Sequence, residues 1–199
     1  MMNTKKLVTC GLLIAIIVIM SLTPLGYLKV GALSITFLTI PVMIGAILLG
    51  PGVGALLGLT FGLTSYFQAM SGTSPLGALM FTTNPFLAFI VCVVSRVLVG
   101  FFCGLIFKGM KKAFGTKIPS FVVAALSAPV LNTILFMSTL LLCFYSLVAE
   151  KYGAVLDKAH GNLIVFVAIF VGINAVVEAV VCTIVGSAVS KAVYKSINK

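Results

Sequence analysis

Six long apolar runs, separated only by short polar, charged or glycine- and proline-bearing stretches, dominate this sequence. A helix crosses the hydrocarbon core of a bilayer with about 20 mostly apolar residues, and the runs are of comparable length. Hydrophobic residues make up 61% of the chain and charged residues 8%. Soluble domains are roughly half apolar and about a quarter charged, so an aqueous fold would leave much apolar surface exposed. We therefore predict an all-α integral membrane protein.

Helix-breaking residues and charges divide the chain into six predicted spans. Breaks come at Pro24, at Gly50-Pro51-Gly52 and within residues 71–77, where glycine and proline end one helix and begin the next. Charged stretches at 108–117 and 150–161 separate the later runs. The predicted spans of this single six-helix domain, residues 1–199, are 7–23, 35–50, 52–69, 85–107, 119–147 and 162–190.

The lysines predict the orientation of the chain, because an even number of spans places both termini on one side. That side carries nine lysines and no acidic residue: Lys5, Lys6, Lys108, Lys111, Lys112, Lys117, Lys191, Lys195 and Lys199. By the positive-inside rule, both termini are predicted to be cytoplasmic. The net charge of +10 is thus explained by topology and attraction to anionic lipid, and does not indicate nucleic acid binding.

The side chains required by common enzyme mechanisms do not occur together in this sequence. The single histidine, His160, falls in a predicted external loop, so neither an HExxH metal site nor a Ser-His-Asp triad can be assembled. No pair among the five cysteines has CxxC spacing, and the three acidic residues provide no carboxylate pair. We therefore predict a chain that is not an enzyme and holds no metal or cofactor; any ATP is hydrolysed by another chain.

Four strongly hydrogen-bonding side chains are predicted to share one layer of the membrane. A charge at mid-membrane costs ~2.5–3.5 kcal/mol on insertion scales, so such residues usually serve a site or pair internally. Arg96 is the only arginine, and Glu178 is the only acidic residue within a span. At 1.5 Å per residue they lie about 18 and 20 Å from the cytoplasmic lysines, with Asn132 at about 22 Å and Asn174 at about 25 Å.

Two interpretations of this polar layer are open. In the first, Arg96 and Glu178 form a buried structural ion pair and the asparagines bond to neighbouring helices. In the second, the layer is a pocket open to the outside in which Arg96 recognises an anionic ligand group, since a guanidinium holds a carboxylate through two hydrogen bonds. The two are compatible, because a guanidinium has five donors.

Other polar residues are predicted to roof this pocket. Tyr66 and Gln68 end the third span, and Asn84 lies in the uncharged loop that follows it. The alternating residues 33–37 predict an extended segment in the first external loop. Helical spacing from Val148 to Ala159 predicts a short surface helix between the last two spans.

Small residues recur every four positions on two spans, a pattern that lets helices approach closely in lipid. On the third span the residues are Gly54, Gly58 and Gly62, and we predict that they pack within the chain. On the first span Gly11 and Ala15 form the same motif near the cytoplasmic end. There we predict contact with another protein.

The run TFLTIPVMIGAILLGPGVGALLGLTFGLTSYF (36–67) and six predicted spans in 199 residues resemble the S components of energy-coupling factor (ECF) vitamin transporters. The most specific parts are Thr39-Ile40-Pro41-Val42 and the turn Leu49-Gly50-Pro51. The resemblance implies a multi-pass protein of a prokaryotic cell membrane that captures a vitamin from outside. It also implies docking on a transmembrane coupling protein driven by two ATPases, with Gly11 and Ala15 in place of that family's Ala-xxx-Ala docking motif.

Within that family the chain most resembles the pantothenate-specific members. The resemblance implies that Arg96 binds the ligand carboxylate and Asn132 its amide or hydroxyl region, with Tyr66 and Gln68 beside them. Asn84, Asn174 and Glu178 are added to the predicted site from depth and helix face alone. Riboflavin and biotin stay open as alternative vitamins, and a self-sufficient secondary solute carrier is the alternative from another class.

Overall fold

A computed structural model describes residues 4–23, 26–30, 33–158 and 162–197. Helices account for most of them, and a two-stranded hairpin follows the first helix. The helices are α1 (Thr4–Leu22), α2 (Thr39–Leu49), α3 (Pro51–Met70), α4 (Pro75–Thr83), α5 (Pro85–Phe89), α6 (Ser95–Phe114), α7 (Ile118–Lys158) and α8 (Leu163–Ile197), with a π-helical segment (Ile90–Val94) joining α5 to α6. The strands are β1 (Tyr27–Val30) and β2 (Leu33–Thr36).

The hairpin is the exception to the predicted all-α fold. Its strands are antiparallel, with Tyr27 opposite Thr36 and Val30 opposite Leu33. The extended segment predicted at residues 33–37 is confirmed by β2. The prediction used the alternation of apolar and polar residues, which is typical of a strand because successive side chains point to opposite faces. The pairing brings Tyr27 and Thr36 side by side next to the first turn of α2.

Five helices within the described residues are long and apolar enough to cross a membrane: Thr4–Leu22, Pro51–Met70, Pro85–Phe114, Ile118–Gly153 and Asn174–Ser196. The predicted second span, residues 35–50, needs correction, because its first residues belong to β2 and α2 has only 11 residues. Eleven residues rise about 16 Å, roughly half the thickness of the hydrocarbon core. Nearly all of α2 is buried by other helices, which explains its apolar sequence. The sixth crossing and the side of the termini stay predictions.

The last two helices extend beyond their predicted bounds and are interrupted. Helix α7 continues past residue 147 through the region predicted as a surface helix, with non-helical backbone at Phe144 and Tyr152. Ala159 and His160 lie outside the described residues. Helix α8 is broken at Gly172, whose φ of 45° lies in the left-handed region that favours glycine. The apolar runs predicted these helices but carried no clear sign of the breaks.

Helices α3 and α6 pack closely through glycine, as predicted for the third span. A Cβ added at Gly58 would meet the backbone carbonyl of Arg96, and one added at Gly54 would meet that of Gly100. Gly62 faces the backbone of Val93 in the same way. The small residues of α3 therefore fix the backbone of α6 at the position from which Arg96 projects.

We predict that Gly58→Ala lowers the midpoint of thermal unfolding in detergent, because the new methyl group must displace the α6 backbone. Overpacking of this kind costs about 1–3 kcal/mol. Gly52→Ala is the matched control on the same helix, since a Cβ there meets no atom within 4 Å. The control should keep or slightly raise the midpoint, because alanine favours helix over glycine. Equal midpoints for the two variants would contradict the close approach.

Candidate functional site

A cavity of about 590 Å³ lies among the helices and the hairpin. Its lining comes from the end of α1, both strands, α3, α4, the π-helical segment, α6, α7 and α8. Small-molecule sites typically measure roughly 300–1,000 Å³ and combine an apolar wall with a few placed polar groups. Arg96, Asn132 and Glu178 supply such groups beside apolar side chains that include Met80 and Phe136.

The π-helical segment positions Arg96 at the start of α6. Nη1 of Arg96 donates to the carbonyl of Val91 at 2.9 Å and to Oγ of Ser95 at 3.2 Å. The Ser95 hydroxyl donates to the same carbonyl at 2.5 Å. Single π-helical turns are frequent at functional sites. Here the wide turn presents a backbone oxygen that holds the guanidinium against its own helix.

The Arg96 guanidinium is buried between aromatic rings and forms no salt bridge within the described part of the chain. Its central carbon lies 4.6 Å from the ring centre of Phe136 and 5.3 Å from that of Phe61, and the residue is 7% exposed. Within the described residues, no acidic side chain forms a salt bridge with it at 4.0 Å or less. The direct Arg96–Glu178 pair of the first interpretation is therefore absent from this structure. A buried cation without an anion is suited to binding one.

Asn132 and Glu178 form a second polar group in the cavity. Nδ2 of Asn132 on α7 donates to Oε1 of Glu178 on α8 at 3.4 Å, and the two residues are 8% and 6% exposed. Helix α7 packs against both α6 and α8. Asn132 thus belongs to the wall between the helix that carries Arg96 and the helix that carries Glu178.

Four buried polar atoms without a hydrogen-bond partner belong to residues that line this cavity. They are Oη of Tyr27, Oγ1 of Thr36, Nε of Arg96 and Oδ1 of Asn132, as judged over the described part of the chain. Leaving such a group unpaired costs about 1–3 kcal/mol. Burial raises the pKa of Tyr27 to about 12, so its hydroxyl keeps its proton and can donate. The cavity therefore offers both donors and acceptors to a polar ligand.

Five of the seven predicted ligand-binding residues line the cavity. They are Gln68, Arg96, Asn132, Asn174 and Glu178. Nε2 of Gln68 donates to the carbonyl of Ser21 at 2.8 Å, which ties α3 to the end of α1. Asn174 follows the break at Gly172. The structure brings these side chains to one cavity, while their roles toward a ligand stay predictions.

Tyr66 and Asn84 lie outside the lining of this cavity, and their roles toward a ligand stay predictions. The Tyr66 hydroxyl donates to the carbonyl of Pro85 at 3.4 Å, and its ring packs edge-on against Phe81 and Phe89. Oδ1 of Asn84 caps α5 by accepting from the first backbone N–H groups of that helix. Helical phase explains the position of Tyr66. Ser65 and Gln68 are three residues apart on α3, so both face the cavity. Tyr66 follows Ser65 directly and therefore lies on a different face of the helix.

Several cavity residues were missed by sequence reasoning. The sequence predicts Thr36 only as part of an extended segment. Its pairing with Tyr27 in the hairpin brings both residues to the cavity lining. Ser65 lies one helical turn from Gln68, and Phe136 one turn from Asn132. Ser65 and Phe136 could have been predicted from the sequence, because each lies one helical turn from a predicted site residue.

Gly11 and Ala15 lie on an exposed face of α1. A Cβ added at Gly11 meets no atom within 4 Å, so the chain itself leaves room there. Val8, Leu12 and Ile19 are exposed apolar residues of the same helix. The face is available for contact with lipid or another protein, and its docking role stays a prediction.

Long apolar helices around a cavity with a few placed polar groups are typical of a membrane protein with a small-molecule site. Residues 5–190 match the family described as ECF transporter, substrate-specific component. The match covers most of the chain, so the chain belongs to that family. The predicted family resemblance is confirmed.

Two curated relatives share part of the sequence. The Pantothenate transporter PanT of Leuconostoc mesenteroides subsp. mesenteroides is 42% identical over 110 residues, which cover 53% of this chain and 52% of that protein. The Pantothenic acid transporter PanT of Lactococcus lactis subsp. cremoris is 30% identical over 119 residues, covering 56% of this chain and 58% of the relative. The chain thus spans about half the length of the curated relatives that it matches.

We predict that Thr36→Val leaves the unliganded protein equally or more stable, because it removes a buried hydroxyl that has no partner. Ser95→Ala is the contrasting variant. It removes a hydroxyl that bonds both the Val91 carbonyl and Arg96, and should lower the midpoint of thermal unfolding. Thermal unfolding in detergent without ligand measures both. A clear loss of stability in Thr36→Val would show that this hydroxyl has a structural partner.

Proposed function

We propose that this chain captures pantothenate from outside the cell as the S component of an ECF vitamin uptake transporter. The family membership supports a substrate-specific subunit rather than an enzyme. Both curated relatives carry pantothenate or pantothenic acid in their names. Pantothenate has one carboxylate, one amide, two hydroxyls and no aromatic ring, so it needs few but well-placed polar partners.

The observation that carries the proposal is the buried guanidinium of Arg96 in the cavity wall. It lies between Phe61 and Phe136 and forms no salt bridge with an acidic side chain among the described residues. The ligand carboxylate would supply the missing negative charge in a site where solvent screening is weak. Arginine suits this task because its planar fork forms two parallel hydrogen bonds and stays charged when desolvated.

The remaining polar atoms match the uncharged part of the ligand. Oδ1 of Asn132 is an acceptor for an amide N–H or a hydroxyl. The Tyr27 and Thr36 hydroxyls each donate and accept, and both lie in the cavity lining without a partner. Apolar contacts with Met80 and Met137 would cover the ligand's hydrocarbon atoms.

Uptake against a gradient requires energy from elsewhere, since we assign no ATP-hydrolysing site to this chain. We assign ATP hydrolysis to two partner ATPases, transmitted through a transmembrane coupling protein in a prokaryotic cell membrane. The exposed small-residue face at Gly11 and Ala15 is the proposed docking surface for that protein. Small residues let partner helices approach closely where water cannot drive association.

We predict that Arg96→Ala weakens pantothenate binding at least ~100-fold, because a desolvated carboxylate would lose its only cationic partner in the lining. Isothermal titration calorimetry on the detergent-purified protein measures the change. Lys111→Ala is the matched control: it removes an equal charge from the last turn of α6, outside the cavity lining. Unchanged affinity in Arg96→Ala would remove this residue from the site, and no binding by the wild type would refute the proposed function.

We also predict that Gly11→Trp abolishes vitamin uptake in cells while leaving pantothenate affinity within about threefold of wild type. A Cβ at Gly11 meets no atom of the chain within 4 Å and the helix face is exposed, so we expect the indole ring to extend outward and block close approach of a partner helix. Ile184→Trp adds similar bulk at an exposed position of α8 and should preserve both activities. Impaired binding in Gly11→Trp would show that this face serves the internal fold instead.

A further inference from the structure

The lining of the cavity contains one cationic and one acidic side chain. Arg96 is the cation and Glu178 is the acid, and all other lining residues are uncharged. The site can therefore neutralise one anionic group of a ligand through direct contact. A second anionic group would have no basic side chain to meet it.

The two charged residues belong to different walls. Arg96 projects from α6 and is held there by the Val91 carbonyl and the Phe136 ring. Glu178 projects from α8 and accepts a hydrogen bond from Asn132, on the helix that packs against both of these walls. Their separation exceeds salt-bridge distance. The two charged groups of the cavity therefore lie on different helices, the guanidinium on α6 and the carboxyl on α8.

This separation of the two charged groups bears on how a ligand could lie. An elongated ligand whose anionic group binds Arg96 can place its other end beside Glu178, because both residues line the same cavity. A carboxyl group there accepts hydrogen bonds from hydroxyls. It contributes a negative charge or no charge, never a positive one. Uncharged hydroxyls are well accommodated at that end, whereas a phosphate is not.

We infer that Glu178 faces the hydroxyl end of the bound ligand and makes the cavity selective for a singly charged acid, so that phosphorylation of the ligand's primary hydroxyl prevents binding. This inference rests on the proposed function, because it takes pantothenate as the ligand. It goes further by assigning the ligand's direction in the cavity and one residue that discriminates at its far end. Specificity of this kind comes from a repulsive element as much as from an attractive one.

The test uses the detergent-purified full chain and a ligand series that differs only at the primary hydroxyl. The series is pantothenate itself, pantothenate with a phosphate on that hydroxyl, and pantothenate with a primary amine in its place. Calorimetric titration of the wild type should give at least ~100-fold weaker binding of the phosphate form. The amine form should bind within about tenfold of pantothenate or more tightly, because its ammonium faces a carboxyl.

Glu178→Gln keeps the shape of the side chain and removes its acidity. This variant should lose some affinity for pantothenate. The ratio of the two dissociation constants, that of the phosphate form divided by that of pantothenate, should fall at least ~10-fold compared with the wild type. Glu150→Gln is the matched control, since it removes the same charge from an exposed side chain, 72% accessible, that pairs only with Lys151 among the described residues. The control should reproduce the wild-type ratio.

The possible outcomes separate the inference from the proposed function. Wild-type protein that does not bind pantothenate refutes the function. Wild-type protein that binds pantothenate and its phosphate form equally refutes the inference and leaves the function standing. An unchanged ratio in Glu178→Gln removes this residue as the source of selectivity. If that variant does not fold, the wild-type series decides, and an amine form that binds as weakly as the phosphate form overturns the inference.

Discussion

The burial of one guanidinium at membrane depth is the constraint on which the rest of this structure depends. A charge near the bilayer centre costs ~2.5–3.5 kcal/mol on insertion scales, and the usual remedy is a nearby acid. Around Arg96 this chain places the faces of two aromatic rings and the carbonyl of Val91, and Glu178 of the same cavity forms no salt bridge with it. These contacts lower the cost of burial without cancelling the charge. The positive charge therefore stays available within the cavity.

Two backbone features make that arrangement possible. The glycines of α3 allow the α6 backbone to approach within contact distance, and Gly58 lies directly against the peptide of Arg96. The π-helical segment before α6 frees the Val91 carbonyl for side-chain bonds. Close packing on one face and a widened turn on the other together fix where the guanidinium points. The position of Arg96 therefore depends on packed helices rather than on a loop.

The sequence predicted the charged members of the site because polar groups are conspicuous against an apolar background. The depth of Arg96 and Glu178 in the membrane was enough to predict that they share one layer, and both line the cavity. A direct ion pair between them was one interpretation, and the described residues contain no such salt bridge. The predicted span 35–50 was wrong in extent, since an apolar run buried by protein has the same composition as one in lipid. Nearness along the chain predicts Tyr66 beside Gln68 at the site, whereas helical phase turns it away from the cavity lining. Thr36 could not be recognised without the strand pairing that brings it to the cavity.

The short helix α2 has one more consequence. A helix of about 16 Å is shorter than the hydrocarbon core of a bilayer, and the chain before it continues as the non-helical backbone of the hairpin. Such backbone is stable at membrane depth only where protein or water, not lipid tails, surrounds it. The hairpin contributes Tyr27 and Thr36 to the cavity lining, so part of its backbone stands beside the cavity. The non-helical segment that a short α2 leaves room for is therefore also the segment that brings two hydroxyl groups to the candidate site.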